Sequence, residues 1–471
     1  MADSTIVLIT LVIYKITLLV IGIWASKRSR STTDFFLGGR QMGGMVAAIS
    51  ASASSSSAWT LLGVSGAAYL WGLSAIWLFP SVMLGFLFNW LWVAPRLRKL
   101  SNKEQAITVT DLLVPEPSQH FAQTIRKAAV LIIIFSFTFY IAAQFKAAGT
   151  SFSSVFELSF TQSIILGAAI IMIYTMLGGF WAVSVTDTLQ GLLMAITAVI
   201  LPIAALIEIG GFDELFRSLA LVQIPEYGSF SGQHYGIAAI GFALGILGIG
   251  NGYPGQPHVV NRFMALKDES SLKRARTIAL VWAFFVYVGM LLLGWSARVL
   301  IPIATDNESI FFEVTQLLFS PVVSGVMIAA ILSAVMSTAD SQILVVSSAA
   351  SYDISKKQQH GVVTARLSVV GVCCLAVLLA LFLDESIFNR VLFAWHAIGS
   401  SFGPVLIVRL LGRKLSNKGA LFAMLSGFGL TILINGYSDL PGDVAERWIP
   451  FITALGFALF HSSNPKSHHY Q

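Results

Sequence analysis

Thirteen apolar runs, joined by short polar connections, dominate this sequence and leave it one environment in which to fold. They fall at 6–25, 43–76, 79–95, 126–152, 161–181, 187–209, 235–255, 275–300, 316–350, 364–383, 387–410, 416–436 and 447–463. A helix rises 1.5 Å per residue, so about 20 apolar residues cross a hydrocarbon core of about 30 Å. Only 11% of the 471 residues are charged, against about 25% in an ordinary soluble domain. So few charges cannot cover the surface of a soluble globule of this length. The runs are continuous rather than alternating, which excludes a β-barrel. The sequence predicts an all-α integral membrane protein whose solvent is the lipid bilayer, with no soluble domain. Its longer connections are near 96–125 and 210–234; the second carries Phe212, Leu215 and Leu219 at helical spacing, a short amphipathic surface helix.

The net charge of +6 does not point to nucleic acid, because basic residues in a membrane protein follow topology. With alternating connections, 23 of the 29 lysines and arginines fall on one side, Lys27, Arg40, Arg96, Arg126, Arg262, Lys356, Arg409 and Lys466 among them. Arg217, Arg298, Arg390 and Arg447 fall on the other, and Lys15 and Lys146 lie within helices. The positive-inside rule then puts the N-terminus outside and the C-terminus inside a plasma membrane of the bacterial inner-membrane type. No basic segment precedes the first run, which reads as an uncleaved helix. Cys373 and Cys374 are adjacent and read as packing residues, and His468 and His469 as part of a disordered polar tail.

Two helices break the apolar pattern. One contains AAISASASSSSA (47–58), with serines at 50, 52 and 54 to 57; the other contains GNGYPGQP (250–257). Clustered serine, glycine and proline free backbone groups from the helix ladder, and in lipid those groups need protein or ligand partners. Kinks and small-residue packing explain many single breaks. Two breaks at matching places in two halves are the sequence pointer to a transporter's central site.

On the run 316–350, Ala334, Ser337, Thr338 and Ser341 share one helical face. Their oxygens either satisfy their own helix or, with carbonyls from the serine-rich break, suit a hard monovalent cation. Two intramembrane carboxylates remain. Asp187 has two readings, a helix cap or an ion ligand. Asp340 adjoins the hydroxyl face, which favours a cation. Lys146 pairs with one of them or snorkels, and Lys15 snorkels or faces a neighbouring helix. GILGIGNG follows no strand, so it is not a phosphate loop, and the histidines have no metal-ligand spacing; His258 reads as a loop or satisfied histidine.

At these residues the chain resembles the solute:sodium symporter family, and within it the sodium/proline symporters. The resemblance runs nearly end to end and includes FFLGGRQMG (35–43), SSSSAWTLLG (54–63), YTMLGGFWAVSVTDTLQG (174–191), GYPGQPHVVNRFMA (252–265) and ILSAVMSTADSQ (331–342). It implies the leucine-transporter fold, with about thirteen transmembrane helices and two inverted five-helix repeats at 43–209 and 235–410. The flanks are 1–42 and 411–471, and 210–234 is an outer loop. It implies a sodium site from Ala53, Ser56, Ala334, Ser337 and Thr338, and a possible second one at Asp187, Asp340 and Ser341. It implies solute contacts at Ser57, Trp59, Tyr140, Tyr253 and Pro257; Gln144, one turn beyond Tyr140, is added from its spacing.

Three positions depart from the proline-transporter pattern: Ser55 replaces an aspartate, Ala75 a glutamate and Ile249 a tryptophan. The expected function is symport, with sodium as coupling ion and a small solute, L-proline first, carried inward by alternating access; no protein partner is evident. Ile249 leaves another small amino acid or a carboxylate as the alternative. A transporter-like sensor would carry a long cytoplasmic domain, and an enzyme would need a nucleophile–base or metal constellation that the sequence lacks.

Overall fold

The computed structural model describes residues 2–26, 32–153, 156, 158–175, 179–304, 306–353, 361–382, 386–435 and 440–464. Lys27, Lys356, Lys466, His468 and His469, invoked above for topology or the tail, lie outside the described residues with Arg28, Arg30 and Lys357 of the same basic set, as does 176–178 of the YTMLGGFWAVSVTDTLQG segment. The elements that position the site are α1 (Ala2–Ser26), α2 (Gly44–Ala58), α3 (Ala122–Ser153), α4 (Phe180–Ile209), α5 (Pro257–Ala265), α6 (Glu269–Leu300), α7 (Pro321–Ser348) and α8 (Ile387–Leu410). The bundle is polar inside and apolar outside. Ser50, Ser52, Ser54, Ser56 and Ser57 are fully buried, whereas Ile13, Leu131, Ile207 and Phe382 are exposed. That inversion is what a lipid solvent selects.

Among the described residues nine helical runs are long and apolar enough to cross a membrane. Gly44–Lys103 is one continuous helical run covering two of the expected helices, and the apolar helices Phe160–Met172 and Leu367–Phe382 are shorter. The amphipathic surface helix forms at Phe212–Ala220 with Leu215 and Leu219 buried, while Phe212 is exposed.

Three boundaries differ from the sequence reading in ways that matter. The helix holding Asp187 starts at Phe180 after an extended Gly179, so Asp187 sits about two turns inside α4 and does not cap it. Apolar runs do not see the entry turn, which reads GGFWAVSV. The second broken helix resumes after Gln256 as α5, because proline is pre-organised for a first helical position. Arg262, counted above among loop residues, is therefore on a buried helix. The run 316–350 is divided into Ile310–Leu318 and α7, and Pro321 starts the latter.

The GGR turn is built from left-handed residues, with φ of 59° at Gly38 and 62° at Gly39. Arg40 beyond it ties that segment to the end of the run from Gly44, donating to Ser101 Oγ (3.0 Å) and to the Ala106 carbonyl (2.7 Å). Met42 pairs with the end of α5 through Met42 N–H to Ala265 O at 3.0 Å. The start of the first broken helix and the end of the second are thus fastened to one another on the Arg40 side.

Candidate functional site

The first break is at Ser57, whose backbone takes φ 48° and ψ −172°. A non-glycine residue holds such a conformation only where its surroundings over-determine it. Those surroundings come from α3. Gln144 Oε1 accepts the Ala58 N–H at 3.2 Å, and Tyr140 OH donates to Ser57 Oγ at 3.3 Å. Ser57 Oγ also accepts the Trp59 N–H at 3.1 Å. Gln144 Nε2 and Trp59 Nε1 are buried and donate to no group among the described residues. Two spare donors beside an open helix end make a receptor for a small acceptor group.

The second break is closed differently. Trp395 Nε1 donates to Ile249 O (3.1 Å), Gln256 Nε2 to Gly252 O (3.2 Å) and Trp395 O (2.9 Å), and Asn89 Nδ2 to Tyr253 O (3.1 Å). Carbonyls freed by glycine and proline are met by side chains, as lipid demands. Gly255 and Gly399 allow this; a Cβ on Gly255 would stand 2.7 Å from Gly399 O. The Tyr253 ring packs on Phe86 and Trp395, with centroids 5.2 Å and 4.7 Å away. Its hydroxyl meets that of Tyr287 on α6. Tyr287 in turn meets Thr60 Oγ1 at 2.9 Å and Ser56 Oγ at 3.4 Å, bridging the two broken helices. Pro257 is buried at the first position of α5, where its missing N–H is no loss.

The hydroxyl face of α7 meets α2. Ser337 Oγ donates to Ala53 O (3.4 Å) and Ala334 O (3.2 Å), and Thr338 Oγ1 to Ser54 O (3.1 Å). Neutral oxygens of Ala53, Ser54, Ala334, Ser337 and Thr338 therefore converge. A hydroxyl that donates to a carbonyl offers a lone pair instead once its proton turns away, which is how such a group receives a cation. Ser56 turns its hydroxyl to Tyr287, while its carbonyl, the atom the resemblance assigns to sodium, accepts the Trp59 N–H.

Asp187 and Ser341 meet in one cluster of buried hydrogen bonds. Asp187 Oδ2 accepts from Ser50 (2.8 Å), Ser54 (3.2 Å), Ser341 (3.5 Å) and Arg262 Nη2 (2.9 Å). Asp340, the residue before Ser341 on α7, has its charge in Coulombic range of Lys15 on α1. Lys15 thus faces a neighbouring helix, with Nζ donating to Met336 Sδ. Lys146 stands in Coulombic range of Glu308.

Sequence reasoning missed Arg262, Tyr287, Trp395 and Glu308. Tyrosine and tryptophan inside apolar runs carry polar tips that need partners when buried, a signal open to use. Glu308 had no such signal. It is nearly buried outside the spanning helices and caps α8, accepting Ile387 N–H at 3.0 Å and Phe388 N–H at 2.9 Å. Burial pushes its carboxyl above the ordinary value, and these two bonds pull it partly back. Phe388, held there, packs 5.5 Å from Trp59 over the first break. Ser55, where the family pattern has an aspartate, donates to Ser52 O (3.0 Å). It lines a cavity of about 10 Å³ with Asn89 and Tyr253.

A membrane bundle with two helices interrupted over a nest of neutral oxygens is built as a cation-coupled secondary transporter. Residues 35–427 match the sodium:solute symporter family. The osmoregulated proline transporter OpuE of Bacillus subtilis is 36% identical over 445 residues, 91% of this chain and 88% of that one. The sodium/proline symporter of Salmonella typhimurium is 34% identical over 98% of this chain and 93% of its own length. A Na+-coupled sialic acid symporter in a substrate-bound outward-open state superposes with a TM-score of 0.80, covering 98% of this chain and 99% of that one. At 18% identity it carries the fold alone, which is the leucine-transporter type. The chain belongs to the sodium:solute symporter family. It is a multi-pass membrane transporter, not an enzyme, and sodium is its coupling ion.

Proposed function

We propose that this protein imports L-proline together with sodium by alternating access. The two five-helix repeats are 43–209 and 235–410, joined through 210–234 and flanked by 1–42 and 411–471, with one break in each repeat. The N-terminus is outside and the C-terminus inside the plasma membrane. Sodium binds at Ala53, Ser56, Ala334, Ser337 and Thr338. The solute binds among Ser57, Trp59, Tyr140, Gln144, Tyr253 and Pro257, and rocking of the bundle exposes it to either side.

One observation carries the reading: Gln144 holds the broken helix open through Ala58 while its own Nε2, with Trp59 Nε1, is left as a buried donor without a partner among the described residues. A zwitterion supplies the missing acceptor as its carboxylate, and the aromatic rings of Trp59, Tyr140 and Tyr253 form a wall for an apolar ring. The curated relatives described above are named for proline. One charge moved through 100 mV supplies about 2.3 kcal/mol, and a tenfold sodium gradient adds about 1.4 kcal/mol. Together they support accumulation of a few hundred-fold per sodium ion.

Ile249 favours a second reading, another small amino acid or a carboxylate, because an aliphatic side chain is buried where the pattern has tryptophan. Competition separates the two. Excess unlabelled proline should abolish sodium-driven uptake of labelled proline and raise the thermal stability of the purified protein. A different solute that does both while proline does neither would replace it.

A further inference from the structure

Arg447 is one of the four basic residues on the sparsely charged side of the bundle, and the sodium and solute groups leave it unused. It stands in the first turn of the helix Val444–Phe460, within the flank 411–471, and is only 3% exposed. A positive charge is unfavourable near the N-terminus of its own helix and favourable near the C-terminus of another. Arg447 meets both conditions. Its Nη2 donates to Asp443 Oδ2 (2.7 Å), which offsets the first, and its Nη1 crosses to the carbonyl of Gly245 (3.1 Å). Gly245 lies in the last turn of the half-helix Ile237–Leu247, which leads into the second break. Trp448, the next residue, donates from Nε1 to the Leu244 carbonyl at 2.8 Å. The guanidinium is thus placed for the half-helix it reaches.

The glycines of FALGILG (242–248) serve this contact. Gly245 and Gly248 are three residues apart, so they share one helical face. A Cβ on Gly245 would run into the Gly442 carbonyl, and one on Gly248 would stand 2.8 Å from Arg447 Cβ. Gly442 itself takes a left-handed φ of 64°, which brings its backbone against the half-helix. Directly beyond Gly248 is Ile249, whose carbonyl accepts Trp395 Nε1 of α8 at 3.1 Å. The Trp395 ring packs on Tyr253, and His396 beside it stands in Coulombic range of Arg447. Two elements therefore grip the second break: the flanking helix at Leu244 and Gly245, and α8 at Ile249.

We infer that Arg447 is a positioning residue for the solute site. With Trp448 it fixes where the half-helix Ile237–Leu247 ends, and so where Ile249 and Tyr253 stand toward the solute. Arg447 acts through that half-helix, and the oxygens assigned to sodium lie on α2 and α7, so its effect falls on the solute. The inference rests on the reading of Tyr253 as a solute contact.

The test compares wild type with Arg447→Gln, Arg447→Lys and Trp448→Phe in proteoliposomes, with labelled proline as probe. Arg447→Gln should raise the proline KM by about tenfold while kcat, and half-saturating sodium at saturating proline, stay within about twofold. Arg447→Lys still donates to a carbonyl and should lie close to wild type. An unchanged KM in Arg447→Gln, a fall in kcat as large as the rise in KM, or a lysine variant as impaired as the glutamine one overturns the inference. If Arg447→Gln does not fold, Trp448→Phe decides, with a KM raised by about threefold expected and an unchanged KM contradicting it. Hydrogen exchange across 248–256 in the solute-free proteins separates this inference from the proline assignment. Removing the grip should speed that exchange about tenfold relative to wild type, and unchanged exchange overturns the inference whichever solute is carried. Faster exchange in a protein that does not carry proline upholds the grip on the break and removes only proline.

Discussion

Gln144 Oε1 accepts the backbone N–H of Ala58 at 3.2 Å, and with the bond from Tyr140 OH to Ser57 Oγ it lets α3 support the first broken helix. The helix would otherwise leave a buried amide unpaired, at a cost of about 1–3 kcal/mol. Gln144→Leu should therefore lower thermal stability and raise the solute KM by tenfold or more, with half-saturating sodium changed far less. Gln144→Glu restores the acceptor but not the Nε2 donor. Uptake kinetics should show its stability recovered and its KM still high; equal recovery of both would remove Nε2 from solute binding.

Ser337 and Thr338 carry the sodium assignment, because their hydroxyls reach the α2 carbonyls of Ala53 and Ser54. Alanine at both positions should raise the sodium concentration for half-maximal uptake by an order of magnitude or more. A well-expressed double variant with unchanged sodium dependence contradicts the site.

Much of this was legible in the sequence, and the losses have physical causes. Apolar runs revealed the bundle, and the breaks at Ser57 and Gly250–Pro257 stood out because lipid punishes unpaired backbone. The α7 stripe followed from helical spacing alone. Arg262 was not legible: a positive charge five residues after a membrane break reads as a loop residue, and its partner Asp187 on α4 explains its burial. Asp340 and Ser341 are neighbours in sequence, yet adjacent helical residues face different partners. Ser56 enters the sodium group through resemblance by its backbone carbonyl, and spacing gave no sign that its hydroxyl meets Tyr287.

Glu308 should leave a signature in pH. Burial raises its carboxyl above the ordinary value, so the folded protein holds that proton more tightly than the unfolded chain does. Its contribution to stability is fully present below the unfolded value and is lost as pH rises through the folded one. Thermal midpoints measured from acid to neutral pH should show this loss in the wild type and lack it in Glu308→Gln. Parallel profiles would show that Glu308 does not titrate in this way.

The proposed orientation rests on the positive-inside rule applied to the basic residues outside the buried bundle. Reporter fusions should read inside at residue 30, near residue 270 and in the tail, and outside at residues 220 and 440. An inside signal at either of the last two overturns the proposed topology.

The central claim is sodium-driven movement of proline, and uptake of labelled L-proline into proteoliposomes containing only this protein tests it most directly. With an inward sodium gradient, proline should accumulate above its external concentration, and collapsing the gradient with a sodium ionophore should release it. Accumulation that proceeds equally when potassium replaces sodium, or no accumulation under any sodium gradient by folded protein, would contradict the account.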